Sequence, residues 1–308
     1  MASPLLAPLP SLAGRRLWLT GGRGFIGSRV AALAEEAGAT VTAFPGDVRD
    51  ADGLRDHLLA AQPDLLLHLA APVNVARDPS LKEQMDAVIV GGARNVRRAA
   101  DSLTAHGRPL QLVLCGTCEE YGTIDAPFAE QDEPSEPVSP YAAAKLAATR
   151  EALAAPRVEG LRIAVARPFL TYGPGQRPRQ LVPALIDASL AGRPFPMTAG
   201  LQTRELNYID DTALGLLRAV LTEQAAGRVV NIGGGEELAV VDLARTVVRL
   251  VGADADLLQP GALPTRAGEV PRFCSDPTLC RTLLGHTPSV SLEEGLRRTI
   301  AHARSERP

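Results

Sequence analysis

Thr20-Gly21-Gly22-Arg23-Gly24-Phe25-Ile26-Gly27 stands between a short apolar run, Arg16–Thr20, and an amphipathic stretch from about Phe25 to Ala37. The run reads as a buried strand and the stretch as a helix. Gly21, Gly24 and Gly27 let the backbone turn sharply and approach a ligand. The helix that follows offers free N–H groups and the positive end of its dipole. A glycine triplet alone is weak evidence. The strand before it and the helix after it are the context in which it reads as a dinucleotide-binding turn.

Outward from this turn, strands and helices alternate. Thr40–Phe44 is a second strand, Leu54–Ala61 a helix, and Asp64–Ala70 (DLLLHLA) a continuous apolar run of the kind covered on both faces. Leu81–His106 reads as a long helix and Leu110–Gly116 as a strand. Ser139–Leu153 reads as a helix with Pro140 in its first turn, and Leu161–Arg167 as a further strand. The pattern predicts an α/β chain built on a doubly wound parallel (Rossmann) sheet. After Pro168 the rhythm changes. Tyr172-Gly173-Pro174-Gly175 is a loop, and Arg177–Leu206 and Glu236–Pro308 hold shorter helices and many prolines. These form a smaller mixed C-terminal lobe for substrate. The expected division is a dinucleotide-binding domain over residues 1–172 with a returning segment at about 205–235, and a second lobe over 173–204 and 236–308.

A chain of 308 residues with net charge −3 has no basic patch of nucleic-acid type, so no nucleic-acid partner is expected. No stretch approaches the roughly 18 apolar residues of a membrane span. Met1–Leu12 lacks the pattern of a signal peptide and reads as a mobile arm, so the expected location is cytoplasmic. Cys115 and Cys118 have C-x-x-C spacing, but they close a strand and no second pair follows. Reduced thiols are expected, and no metal. His68, inside an apolar run, reads as a core histidine. Asp210 and Asp211 are expected to cap or orient the helix that follows them.

The second chemical signal is Tyr141-Ala-Ala-Ala-Lys145, preceded by Thr117. A phenol titrates at about 10 and needs help to exchange a proton at neutral pH. Lys145 lies one helical turn on, on the same face, and its ammonium, with the positive nicotinamide of the oxidised cofactor, would lower the Tyr141 pKa. Thr117 would hydrogen-bond a substrate hydroxyl or carbonyl. A carboxylate about 20 residues beyond the glycines, for the adenosine ribose, is not clearly present; the first is Asp47. Arg23, inside the glycine loop, is either a solvated surface arginine or a group that meets a 2′-phosphate and favours NADP.

From about residue 14 to 303 the chain resembles the extended short-chain dehydrogenase/reductases that act on nucleotide sugars. The resemblance rests on Thr20–Gly27, Asp47–Asp50 (DVRD), His68–Ala71 (HLAA), Thr117–Gly122 (TCEEYG), Ser139–Lys145 (SPYAAAK) and Arg167–Gly175. Leu181–Pro183, Gly200–Asp211 and Arg266–Val270 continue it. It implies a catalytic set of Thr117, Tyr141 and Lys145. It implies a cofactor site of Gly21, Gly22, Arg23, Gly24, Phe25, Ile26, Gly27, Asp47, Val48, Leu69, Ala70, Ala71 and Pro168, with Tyr141 and Lys145. Val182, Arg204 and Arg266 would bind the nucleotide-diphosphate sugar in the second lobe. Leu81–His106 and Ser139–Leu153 would pair across a homodimer. The chain departs from the family pattern in three places. The usual insertion between the second and third strands is nearly gone, and Val88 and Leu170 stand where asparagines are often found.

The chemistry such a family implies begins with redox at a sugar ring carbon, usually C4. Reduction of an NDP-4-keto-hexose with NADPH is the favoured expectation. The alternatives are a 4-epimerase or a 4,6-dehydratase, each with tightly bound NAD. Glu119 would be the dehydratase base, and Cys118 stands where the acid for the leaving hydroxyl is often found. A non-catalytic NAD(P) sensor is the reading from another class; the intact Tyr141 and Lys145 speak against it.

Overall fold

The computed structural model describes residues 9–105, 107, 109–156, 158–265 and 268–307. The chain opens with β1 (Arg16–Thr20), α1 (Phe25–Glu36), β2 (Thr40–Ala43), α2 (Ala51–Ala61) and β3 (Leu65–His68). Helix α2 begins three residues before the expected start because Asp50 caps it, its carboxylate accepting the Gly53 amide at 3.0 Å. The long helix expected over Leu81–His106 is a succession. A 3₁₀ turn at Pro79–Leu81 leads into α3 (Lys82–Met85), a π turn at Asp86–Val90, and α4 (Gly91–Thr104). His106 lies outside the described residues. Then come β4 (Leu110–Cys115), α5 (Pro140–Ala154) and β5 (Leu161–Pro168).

These strands, with a later one, form a six-stranded sheet in the order β2-β1-β3-β4-β5-β9, where β9 is Val229–Ile232. Every pairing is parallel. Side chains alternate across it as a pleated strand requires. Leu17, Leu19, Leu65, Leu67 and Val113 pack toward α1 and α7 (Ile209–Leu221); Trp18, Leu66, Leu112 and Leu114 pack toward α2, α4 and α5. Both faces are covered, which is why β3 and β4 are so largely apolar, with Gln111 and His68 as their buried polar residues. The shortened connection after β2 leaves β2 at the sheet edge.

The remaining elements are β6 (Leu170–Tyr172), α6 (Leu181–Leu190), β7 (Phe195–Met197), β8 (Thr203–Tyr208), β10 (Glu237–Ala239), α8 (Val240–Val251), β11 (Leu258–Pro260), β12 (Arg272–Phe273), α9 (Thr278–Leu284) and α10 (Leu292–Ser305). A second sheet runs β10-β8-β12 with β6 also on β8, and β7 pairs β11. Leu185, Ile186, Leu243, Val247 and Leu296 fill the space between α6, α8 and α10.

Two expectations are corrected here. The leader is not free up to Leu12: Leu9 packs on the core, Leu12 is 1% exposed, and the Leu12 amide donates to Ala37 O at 2.9 Å. Asp210 and Asp211 do not cap α7; the residue before it, Tyr208, does so without a side-chain bond. Asp210 pairs with Arg29 of α1 at 2.6 Å. Asp211 accepts the amides of Ser289 and Val290 at 2.9 and 3.0 Å. Asp210 thus ties α7 to α1, and Asp211 ties α7 to the segment before α10. No described helix is long and apolar enough to cross a membrane.

Candidate active site

The site lies where β1, β3, β4 and β5 end, at Thr20, His68, Cys115 and Pro168. Crevices outside the carboxyl ends of such strands are where ligands bind in open α/β sheets. Thr20 organises the first corner. Its hydroxyl accepts the amides of Leu69 and Ala70 at 3.1 and 3.0 Å, and it bonds His68 Nδ1 at 2.8 Å. His68 is buried, and burial pulls its pKa down to about 3, with Lys145 adding to the effect. It is a neutral core histidine that fixes the turn.

Gly21 has φ +73°, and a Cβ there would lie 2.9 Å from the Ala70 amide nitrogen. A Cβ on Gly27 would lie 2.1 Å from Gly21 O, and one on Gly24 3.1 Å from the same oxygen. The loop is closed by Gly24 N to Gly21 O at 2.9 Å. Gly24 caps α1 with no side chain, leaving the first turn of the helix open to a ligand. This cradle, which any side chain would fill, fits a pyrophosphate. Leu69, Ala70 and Ala71 run half-buried beside it. Phe25 and Ile26 pack against the second lobe. Gly27→Ala is expected to weaken dinucleotide binding about tenfold or more, as overpacking by ~1–3 kcal/mol implies; a titration with unchanged affinity would show the cradle lies elsewhere.

The second corner is built on the turn after β4. Thr117 caps the 3₁₀ turn Cys118–Tyr121, its hydroxyl accepting the Glu119 amide at 3.3 Å. Glu120 completes the box by accepting the Thr117 amide at 2.9 Å. Glu120 is fully buried and also accepts from Thr149 Oγ1 of α5 at 2.8 Å and from Arg167 Nε at 2.9 Å. Arg167 lies over the Tyr121 ring at 4.5 Å. Glu120 therefore registers α5 against β4 and β5. Sequence reading passed over it, although Thr117-x-x-Glu120 has the spacing of a capping box.

Helix α5 carries Tyr141 and Lys145, both buried. Lys145 Nζ donates to Cys115 O at 2.5 Å and lies 6.0 Å from the Tyr141 ring centroid. A cavity of about 10 Å³ behind it is lined by His68, Ile89, Ala93 and Thr149. Thr117 hydrogen-bonds the Tyr141 side chain, which favours the phenolate, yet burial dominates and raises the Tyr141 pKa well above its ordinary value. Without the positive nicotinamide, burial thus keeps Tyr141 a neutral phenol.

The remaining candidates separate. Glu119 is half-buried; burial raises its pKa, opposed by the Arg204 guanidinium. Cys118 is buried in a cluster with Tyr121, Phe128, Phe169 and Phe273 yet stays beside the Thr117 side chain, and burial raises its thiol pKa well above the ordinary value, which makes it a weak acid. Arg204 is 8% exposed, pairs with Glu269, lies 5.1 Å from the Phe273 ring centroid and donates to Thr203 O at 2.7 Å. Val182 is 2% exposed and belongs to the core between α6, α8 and α10. Arg266 lies outside the described residues. Gly22 faces Ala43, and Val48 is buried against Gly92. Asp47 is exposed and bound by Arg49. Arg77 crosses from the loop after β3 to Gly268 O at 2.7 Å, closing the far side of the site. The four cysteines are free thiols.

A doubly wound parallel sheet, a glycine cradle and a buried Thr-Tyr-Lys group at the strand ends define a nicotinamide-dependent short-chain dehydrogenase/reductase of the extended type. The family model for the NAD dependent epimerase/dehydratase family matches residues 17–233, and the chain belongs to that family. It is 35% identical over 257 residues to a dTDP-glucose 4,6-dehydratase of Streptomyces griseus, covering 83% of this chain and 75% of the relative. It is 32% identical to a probable UDP-glucuronate 4-epimerase of Rhizobium meliloti, covering 78% and 74%. Among solved structures, a dTDP-glucose 4,6-dehydratase from Streptomyces venezuelae with NAD bound superimposes with TM-score 0.84 at 28% identity, covering 95% of this chain and 98% of that one. A Thermotoga maritima UDP-glucose 4-epimerase with UDP-glucose does so with TM-score 0.85 at 26% identity, covering 94% and 99%. The protein is an enzyme with an NAD(P) cofactor. The sensor reading falls with that.

Proposed function

We propose that the chain reduces the C4 ketone of a nucleoside-diphosphate (deoxy)hexose to the alcohol. The observation that carries this is the arrangement around Tyr141: a buried neutral phenol beside the Thr117 hydroxyl, with Lys145 one turn on and, at position 118, a buried thiol whose raised pKa makes it a weak acid. Bound reduced nicotinamide would supply the hydride to C4. Tyr141 gives its proton to the carbonyl oxygen as the hydride arrives, so one C–H and one O–H bond form and the C=O π bond is lost. The Lys145 ammonium stabilises the phenolate left behind. Thr117 holds the same oxygen. The second lobe would hold the nucleotide, with Arg204 released from Glu269 to meet the diphosphate as a guanidinium fork does.

A second reading has its own support. The dehydratase and epimerase relatives, and Glu119 two residues beyond Thr117, favour a self-contained cycle on bound NAD. The two are separated by assaying purified protein with a 4-keto nucleotide sugar plus NADPH or NADH, and with an unoxidised nucleotide hexose and no added cofactor. Stoichiometric consumption of reduced cofactor, little affected by Glu119→Gln, is expected. Turnover of the unoxidised sugar on co-purified NAD, abolished by Glu119→Gln, would replace the reductase with a dehydratase. Survival of that turnover would indicate an epimerase.

A further inference from the structure

Glu205 is 1% exposed, yet its carboxylate is fully hydrogen-bonded. Oε1 accepts the Gly234 amide at 2.6 Å and Asn207 Nδ2 at 3.0 Å; Oε2 accepts the Ser275 amide at 2.7 Å and Ser275 Oγ at 2.8 Å. Four neutral donors thus fill the lone-pair positions of one buried anion. They come from three stretches of chain. Asn207 is on β8 itself, Gly234 stands just beyond β9, and Ser275 just beyond β12. Strand β9 closes the first sheet, whereas β8 and β12 pair in the second. The carboxylate therefore sits at the seam between the two sheets. The fit is tight: a Cβ on Gly233 would lie 2.1 Å from Glu205 Oε1 and 2.6 Å from Ser275 Oγ. Taking a carboxylate out of water is costly unless its bonds are made, so sliding β8 against β9 or β12 would strand the charge.

Neighbouring residues on a strand point to opposite faces. Glu205 faces the seam, and the guanidinium of Arg204 lies on the other side, paired with Glu269 and over the Phe273 ring. Phe273 is also the register partner of Arg204 on β12. Glu205 thus holds both parts of that shelf: the strand that carries Arg204 and, through Ser275, the strand that carries Phe273. We propose that Glu205 is a positioning residue for the nucleotide: by pinning β8 and β12 to the end of β9 it holds Arg204 where a diphosphate is read. This rests on the reading of Arg204 as the diphosphate fork. Glu205 acts through Arg204, and the cofactor cradle and the Tyr141–Lys145 pair stand on other elements, β1, α1 and α5. Loosening the seam therefore costs nucleotide recognition before it costs cofactor binding or proton transfer.

The full chain is titrated by calorimetry with UDP and dTDP, probes that carry the diphosphate without a sugar, and separately with NADPH and NADH. Arg204→Met is expected to weaken the better-bound nucleotide about tenfold or more, the strength of a charged hydrogen bond. Glu205→Gln keeps the shape but turns an amide NH2 toward a donor. It is expected to weaken the same nucleotide by about threefold to tenfold, with cofactor affinity held within about twofold. Made in the Arg204→Met background it adds almost nothing, because its effect runs through that guanidinium. In turnover the loss falls on KM for the nucleotide sugar and not on kcat. Ser275→Ala removes only the hydroxyl donor and gives the same pattern on a smaller scale. Unchanged nucleotide binding in Glu205→Gln, or in Ser275→Ala should only that variant fold, alongside a loss in Arg204→Met, overturns the proposal alone; a lowered melting temperature would then be the whole effect of Glu205. An equal loss on nucleotide and cofactor also overturns it, as does an additive double variant. An Arg204→Met protein that binds UDP and dTDP as wild type does refutes the diphosphate reading, and the proposal falls with it.

Discussion

Tyr141→Phe lowers kcat by about 10²–10⁴-fold, the span expected when a positioned proton donor is removed, and changes cofactor affinity far less. The ring is 6% exposed and packs with Ala144, Ala148 and Val165, so phenylalanine keeps the packing and loses only the hydroxyl. The pH profile carries the sharper content. Reduction needs the protonated phenol, so activity falls as pH rises through the Tyr141 pKa. Burial raises that pKa above its ordinary value of about 10. No break from this group is expected through neutral and mildly alkaline pH in the reductive direction. A break near neutrality that vanishes in Tyr141→Phe would show that ligands invert the balance seen in the free protein.

Arg167→Met should cost about 3–5 kcal/mol of stability, measured as a shift in denaturant midpoint. Arg167 is 3% exposed and its partner Glu120 0%. Removing the guanidinium strands a carboxylate among Thr117, Thr149 and Tyr121 with no counter-charge. Glu120→Gln combined with Arg167→Met should recover part of the loss, because neither charge then remains buried. An additive double variant would mean the two side chains act separately. Because Thr149 reaches Glu120 from α5, the single variant also loosens Tyr141 and Lys145 against Thr117. Its kcat should fall more than its cofactor affinity.

The glycine loop, the order of strands and helices up to Pro168 and the Tyr141–Lys145 face were legible because each is a local pattern. Backbone closeness demands glycine, a doubly covered strand demands an apolar run, and one helical turn sets four residues. What escaped depends on contacts between distant segments. Asp211 looks like a cap until Ser289 and Val290, nearly eighty residues on, present their amides. Arg204 is expected on a diphosphate, and only the fold reveals that Glu269 pairs with it. Cys118 and Glu119 are neighbours in sequence, yet one turns into the aromatic cluster while the other stays half-open. Spacing likewise reveals Lys145 beside Tyr141, but the depth of burial that raises the Tyr141 pKa in the free protein is a property of the whole fold.

The loss of the segment after β2 bears on how molecules of this protein meet one another. A parallel sheet that stops at a bare strand invites a neighbour's strand to add to it. Here the exposed edge is four residues long, and the chain leaves it through Pro45, which lacks an N–H to extend a ladder. Too short to template a second chain and blunted by proline, that edge lets the sheet lose its outermost unit without becoming sticky.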